Sequence, residues 1–145
     1  MTDPAVTRRG ALTGVAVGGL SLPLLAACGI GASGGAAGSP HGSPGDVLVA
    51  TADVPVGGGV VVPDHDVVVT RPDKATFEGF SATCTHQGCL LSGVAGGTIN
   101  CGCHGSQFAI TDGANVAGPS GSPAGSIPPL PKVAVRVKGK NVVWA

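Results

Sequence analysis

The sequence CTHQGC at residues 84–89 and the sequence CGCHGS at residues 101–106 decide how the middle of this 145-residue chain folds. Together they hold four of the chain's five cysteines and two of its four histidines. Thiol and imidazole side chains at such short spacings are typical of metal centres. Residues 81–107 contain no long apolar run, so we expect this segment to be a metal-bearing insertion between the strands of a larger β structure.

The two motifs resemble the cluster-binding boxes of the Rieske iron-sulfur proteins. The likeness is to the high-potential branch found in cytochrome bc-type complexes, whose boxes have the forms C-T-H-x-G-C and C-x-C-H-G-S. Gly102 stands where these proteins usually have proline. Outside the boxes the resemblance extends loosely over residues 46–145. It implies an antiparallel β-sandwich base with a small cluster-binding subdomain at about residues 81–118.

The resemblance implies one 2Fe-2S cluster with mixed ligands. Cys84 and Cys101 match the thiolate ligands of one iron, and His86 and His104 match the imidazole ligands of the other. Two neutral imidazoles in place of two thiolates make the oxidised cluster neutral, so adding an electron costs less. Such clusters have potentials of about −150 to +300 mV, against about −400 mV for plant-type clusters with four cysteines. The motifs therefore predict a centre that accepts electrons from a mild reductant.

Further residues around the cluster follow from the same resemblance. It pairs Cys89 with Cys103 in a disulfide, which requires an oxidising compartment. It makes the Ser106 hydroxyl a donor to a bridging sulfide. In the family a tyrosine two residues after this serine donates to a cysteine ligand, and here that position is Phe108. Hydrogen bonds to the sulfurs stabilise the reduced cluster, so the missing hydroxyl predicts a lower potential.

A structural zinc site is the main alternative for these side chains, because zinc also binds Cys and His at short spacings. The two motifs offer six candidate ligands, which is more than the four that one structural zinc uses. Zinc explains neither the form of the two motifs nor the extra pair of cysteines. We therefore expect iron and sulfide at this site.

The N-terminal segment, residues 1–27, has the layout of an export signal. Arg8-Arg9 precede an uncharged run over residues 11–27, and the sequence Leu-Ala-Ala-Cys ends at Cys28. The paired arginines resemble a twin-arginine signal, and the last four residues resemble a lipoprotein processing site in which Cys28 becomes lipidated. The alternative is an uncleaved anchor in which Cys28 is a passive thiol. Either arrangement predicts a membrane-associated, extracytoplasmic protein, and the twin-arginine route suits a domain exported after its cluster is assembled.

Composition divides the remaining chain into a linker and a β domain. Residues 28–45 are almost wholly Gly, Ala, Ser and Pro after Cys28, which predicts a flexible linker. Residues 46–145 are rich in valine and lack tyrosine, which favours short strands and turns. The formal net charge is zero, with eight basic and eight acidic residues, and these charges are scattered singly. Such a pattern excludes a basic surface for nucleic acid.

Short β-branched runs predict an all-β fold. The predicted strands are residues 47–51, 60–62, 67–70, 76–80, 132–137 and 142–144. Residues 138–141 and Asp112-Gly113 predict hairpin turns. Residues 118–131 are rich in Pro and Gly and predict an ordered surface loop.

The resemblance implies an electron-transfer protein and leaves two arrangements open. The first is the iron-sulfur component of a quinol to cytochrome c chain, with quinol and cytochrome b or c as partners. The second is a free-standing lipoprotein carrier, or a small subunit, for another extracytoplasmic oxidoreductase such as a molybdoenzyme. A Rieske oxygenase is not expected, because a chain of 145 residues leaves no room for a second domain with a two-histidine, one-carboxylate iron site. No autonomous active site is predicted. We expect electrons to enter at the exposed imidazole edges of His86 and His104, where a redox partner would dock.

Overall fold

The computed structural model describes residues 38–145, so the predicted export signal, including Arg8, Arg9 and Cys28, lies outside the described residues. The described chain consists of strands and three short 3-10 turns, which confirms the all-β expectation. The strands are β1 Val47–Ala50, β2 Gly58–Val62, β3 Val67–Arg71, β4 Glu78–Ser81, β5 Gly93–Ala95, β6 Thr98–Asn100, β7 Gln107–Ala109, β8 Asn115–Ala117, β9 Lys132–Val133, β10 Val135–Lys138 and β11 Asn141–Trp144. Within this part of the chain no helix is long and apolar enough to cross a bilayer.

The strands form three antiparallel sheets. The first has the order β1-β11-β10, the second β2-β3-β4-β9, and the third β5-β6-β7-β8. The first two sheets are the base of the domain, and the third is inserted in the sequence between β4 and β9. This is the predicted antiparallel base with a small inserted subdomain.

Two hydrophobic cores lie on opposite faces of the second sheet. The base core, between the first and second sheets, consists of Leu48, Val54, Val67, Val69, Val133 and Val142. The cluster core, between the second and third sheets, consists of Val68, Phe80, Ala82, Cys84, Leu91, Ile99, Cys101, Phe108, Ile110 and Leu130. The candidate metal ligands Cys84 and Cys101 are therefore core residues of the subdomain.

Strand β3 contributes to both cores. Side chains alternate between the two faces of a strand. Accordingly Val67 and Val69 pack in the base core, and Val68 packs in the cluster core. All three side chains are fully buried. A continuous run of valines is the sequence that a strand covered on both faces requires.

All six predicted strands are present, and one of them is divided into two strands. The predicted run 132–137 contains both β9, which pairs with β4, and β10, which pairs with β11. The chain therefore changes from the second sheet to the first at Ala134. The predicted hairpin turns also occur, between β10 and β11 and between β7 and β8. By contrast, no apolar run predicts strands β5 to β8, because each has only three residues.

Residues 38–45, the end of the predicted flexible linker, lie against the domain. The Gly38 carbonyl accepts a hydrogen bond from the Thr83 hydroxyl at 2.8 Å. Gly42 packs so closely that a Cβ atom there would lie 2.7 Å from the ring of Trp144. Small residues allow this close approach of the backbone. The composition that predicts flexibility thus also permits residues 38–45 to pack as an ordered segment.

A buried hydrogen bond between the base and the subdomain offers a test of this arrangement. The Thr70 hydroxyl, fully buried on β3, donates to the Ile110 carbonyl at 2.7 Å. Thr70→Val keeps the side-chain shape but leaves that carbonyl without its donor. We expect the free energy of unfolding, measured by denaturant titration, to fall by about 1–3 kcal/mol.

Thr51→Val is the matched control for this substitution. The Thr51 hydroxyl makes the same kind of bond, to the Lys140 carbonyl at 3.0 Å, but in an exposed position where water can replace it. Its loss should cost no more than about 0.5–1 kcal/mol. Equal destabilisation by the two substitutions would contradict a special role for the Thr70 bond.

Candidate metal centre

The loop between β4 and β5 holds the first pair of candidate ligands in a closed turn. The Cys84 N–H donates to the Cys89 carbonyl at 2.8 Å, and the Cys84 carbonyl accepts from the Gly88 N–H at 2.9 Å. Gly88 has a φ of +74°, a conformation that residues with a side chain rarely adopt. The glycine of the first motif is therefore required by the turn.

The loop between β6 and β7 repeats the same hydrogen-bonding pattern. The Cys101 N–H donates to the Ser106 carbonyl at 2.9 Å, and the Cys101 carbonyl accepts from the Gly105 N–H at 3.0 Å. Gly105 has a φ of +77°. Cys84 and Cys101 are thus each fixed through both their backbone groups, and the two motifs form two equivalent turns.

The two turns bring the free thiols of Cys84 and Cys101 together inside the cluster core. These residues are 2% and 3% exposed, and neither belongs to a disulfide. Burial raises the pKa of the Cys84 thiol, the His86 backbone N–H lowers it, and the adjacent Cys101 thiol raises it again. The net effect is a raised pKa for this thiol, because burial disfavours its charged form.

The imidazoles of His86 and His104 form a second pair. Their ring centroids are 4.7 Å apart and the rings are nearly perpendicular, at 87°. Both residues are partly exposed, whereas Nδ1 of His86 is buried and has no hydrogen-bond partner among the described residues. Buried polar atoms normally have a partner. This nitrogen is therefore available to a metal ion.

The four candidate ligand side chains do not converge on a single point. A single zinc lies about 2.0–2.3 Å from its nitrogen and sulfur ligands, so any two ligand atoms are within about 4.6 Å of each other. Among the described residues, the group of three whose ligand atoms all lie within 4.8 Å of one another is Cys89, Cys101 and Cys103. Two of these three form a disulfide and offer no thiolate. The paired thiols and paired imidazoles fit the two irons of a 2Fe-2S cluster and do not fit one tetrahedral zinc.

The disulfide that the resemblance implies is present between Cys89 and Cys103. It joins the two ligand turns, one of which contains Cys89 and the other Cys103. The bond closes a loop over a sequence separation of 14 residues, which is worth roughly 3 kcal/mol in the chain-entropy model. Shared metal ligands constrain the same turns, so the two contributions overlap.

Residues 118–131 support both ligand turns, a role that the sequence does not reveal. The Thr85 hydroxyl donates to the Pro128 carbonyl at 2.7 Å, next to Cys84 in the first turn. The Ser120 N–H donates to the His104 carbonyl at 2.7 Å in the second. The prediction of an ordered loop is confirmed, and the two bonds explain why the loop is ordered.

Ser106 and Phe108, the two residues expected to influence the potential, are both fully buried. Ser106 lies beside the Cys84 thiol and lowers the pKa of that group, but its hydroxyl makes no well-formed hydrogen bond among the described residues. It is therefore available to a further acceptor at the site. Phe108 pairs with Ile99 of β6 and packs in the cluster core with Cys101.

Comparisons with known proteins agree with this site. Residues 46–134 match the sequence profile of the family described as the Rieske [2Fe-2S] domain. Over 66 residues, 46% of this chain, the sequence is 42% identical to a Haloferax mediterranei protein whose curated name provisionally makes it the Rieske subunit of a respiratory nitrate reductase. The match covers 29% of that relative, so this chain spans less than a third of its length.

Two solved structures show the same fold. The cyanobacterial plasma membrane Rieske protein PetC3 from Synechocystis PCC 6803 is 31% identical, with a TM-score of 0.53 over 68% of this chain and 97% of that chain. The ferredoxin of Sphingomonas yanoikuyae B1 is 24% identical, with a TM-score of 0.53 over 69% of this chain and 96% of that chain.

Metal analysis and electron paramagnetic resonance test the ligand set. The purified protein should contain iron and acid-labile sulfide in equal amounts and give a rhombic signal after reduction. His86→Ala should abolish the signal, because it removes the buried Nδ1 that has no hydrogen-bond partner among the described residues. His65→Ala, in the 3-10 turn Pro63–His65, is the control and should leave the signal intact. Stoichiometric zinc without sulfide would refute the assignment.

The reduction potential of the cluster tests the expected effect of Phe108. Phe108→Tyr supplies the hydroxyl that this chain lacks, and one net hydrogen bond of about 1 kcal/mol corresponds to roughly 40 mV for a one-electron couple. We expect a rise of tens of millivolts in protein-film voltammetry at fixed pH, and a fall of at least that size for Ser106→Ala. Phe77→Tyr, in the base region, should leave the potential unchanged. A Phe108→Tyr potential at or below that of the parent would contradict this explanation.

Proposed function

The chain belongs to the Rieske [2Fe-2S] domain family, and we propose that Cys84, His86, Cys101 and His104 hold its one 2Fe-2S cluster for single-electron transfer. When bound, such a cluster supplies one-electron redox chemistry at a mild potential. The observation that carries the proposed ligand set is the pairing of side chains. Two buried thiols are adjacent on one side of the site, and two imidazoles are 4.7 Å apart on the other.

Electrons reach the site from the imidazole side. The thiols are 2% and 3% exposed, whereas His86 and His104 are partly exposed. Gln87 is exposed next to His86, and Leu90, 46% exposed, adds an apolar contact beside the first turn. A redox partner that docks over this surface comes closest to the imidazoles.

The partner proposed first is an oxidoreductase other than a cytochrome bc-type complex. The relative from Haloferax mediterranei, named provisionally as a subunit of a respiratory nitrate reductase, supports this choice at 42% identity over 66 residues. Phe108 supports it as well, because the quinol-oxidising pattern has a tyrosine at that position. The protein is then a small electron-transfer subunit or carrier, and the catalytic chemistry belongs to the partner.

A quinol to cytochrome c chain is the second candidate. The form of both motifs favours it. In that arrangement cytochrome b or c and quinol are the partners. The imidazole edges of His86 and His104 are the docking surface in both candidates.

The proposed location is the extracytoplasmic face of a membrane. Arg8-Arg9 and Cys28 supply the export and lipidation signals in the sequence. The disulfide between Cys89 and Cys103 supports an oxidising compartment, since cytosolic proteins rarely keep such bonds. The twin-arginine route is compatible with export of a domain that already holds its cluster.

Purification of the tagged full chain from its own membranes tests the partner. We expect a molybdenum-containing oxidoreductase subunit to co-purify and to reduce or oxidise the cluster in the presence of its substrate. Co-purification of a cytochrome b that reduces the cluster with quinol would instead support the second candidate. Recovery of the chain with neither partner, and without redox turnover in either assay, would contradict both.

Cys28→Ser tests whether lipid on Cys28 attaches the protein to the membrane independently of its cluster. If Cys28 carries lipid, the variant should leave the membrane fraction and retain the signal of the reduced cluster, because the substitution lies outside the metal-binding domain. A variant that stays in the membrane fraction to the same extent as the parent would support an uncleaved anchor instead.

A further inference from the structure

The Cys101 thiol lies beside a disulfide to which it does not belong. The sulfurs of Cys89, Cys101 and Cys103 all lie within 4.8 Å of one another, and the first and third are bonded. Cys101 is a free thiol. Disulfides are exchanged by attack of a thiolate on one of their sulfurs. The fold therefore holds a nucleophile next to a bond that it can break.

We propose that loss of the cluster triggers exchange of the Cys89–Cys103 disulfide for a Cys89–Cys101 disulfide. The Cys101 sulfur, after giving up its proton, attacks the Cys89 sulfur, and the Cys89–Cys103 bond breaks as the new bond forms. The electron pair leaves on the Cys103 sulfur, which takes up a proton. One disulfide is present before and after the step, so no oxidant or reductant is needed.

The surroundings of the three sulfurs select this product. Cys103 is exposed and Cys101 is 3% exposed, so exchange moves the free thiol from the core to the surface, where its anion is solvated during departure. Attack on Cys103 instead would close a small ring across the single residue Gly102. The Cys101 sulfur lies within 4.8 Å of both bonded sulfurs and the Cys84 sulfur does not, which favours Cys101 as the attacking group.

The exchange gives cluster loss a lasting consequence. While Cys101 binds iron, its sulfur is not available to attack the neighbouring bond. Once the exchange has occurred, Cys101 is no longer a ligand, and refilling the site first requires reduction of the new disulfide. For the same reason the cluster has to be in place before the Cys89–Cys103 bond is formed, which agrees with cluster loading before export to an oxidising compartment.

Disulfide mapping of the full-length protein tests this proposal. The oxidised holoprotein, whose cluster is first verified by its spectrum after reduction, is treated anaerobically with a chelator at neutral pH. Aliquots are quenched with acid, alkylated and digested. We expect the Cys89–Cys103 peptide to be replaced by a Cys89–Cys101 peptide with alkylated Cys103, over minutes to hours. The rate should not change on dilution, because the reaction is intramolecular.

Cys84→Ser and Cys101→Ser are a matched pair for the mechanism. Each removes one thiolate ligand, so both chains lack the cluster, but only the first retains the attacking thiol. We expect exchange in Cys84→Ser and an unchanged Cys89–Cys103 bond in Cys101→Ser. Persistence of the original disulfide in Cys84→Ser would overturn the proposal. So would equal entry of Cys84 and Cys101 into new disulfides in the parent, which is the result expected of a chain that has lost its fold.

Discussion

The burial of strand β3 on both faces is the constraint on which the rest of the structure depends. Val67 and Val69 pack into the base core, and Val68 packs into the cluster core on the opposite side. One strand thus belongs to two hydrophobic cores, and the metal-binding subdomain has no core of its own that is independent of the base. The buried bond from Thr70 to the Ile110 carbonyl adds a polar link along the same strand. Distortion of the base is therefore expected to reach the ligand turns.

The site combines a buried side and a partly exposed side. Cys84 and Cys101 lie among the apolar side chains of the cluster core. His86 and His104, by contrast, are partly exposed. This division places the two candidate thiol ligands away from water and the two candidate imidazole ligands where a partner could approach. It also explains why the Cys84 thiol has a raised pKa in the absence of metal.

The sequence predicts the strands of the base well and the contacts that support the two motif turns poorly. A few neighbouring residues are enough to predict the base strands and their turns. Examples are the valine runs of β2 and β3 and the glycine in the turn between β10 and β11. Strands β5 to β8 carry no such signal, because three residues are too few for a periodic pattern and their stability comes from tertiary packing. The bonds from Thr85 to Pro128 and from Ser120 to His104 join residues far apart in the chain, so no spacing reveals them. The order of residues 38–45 is hidden for the same reason, since contact with Trp144 depends on the fold.

The hydrogen bonds that fix the two ligand turns have a consequence for the speed of electron transfer. Cys84 and Cys101 are each bonded through both their backbone groups, and residues 118–131 donate or accept one further hydrogen bond in each turn. A site with so few free torsions changes its geometry little when its charge changes, and preorganised dipoles around it need little reorientation. We therefore expect the protein to contribute little to the reorganisation energy of electron transfer. Exchange of electrons with a partner can remain rapid even when the difference in potential that drives it is slight.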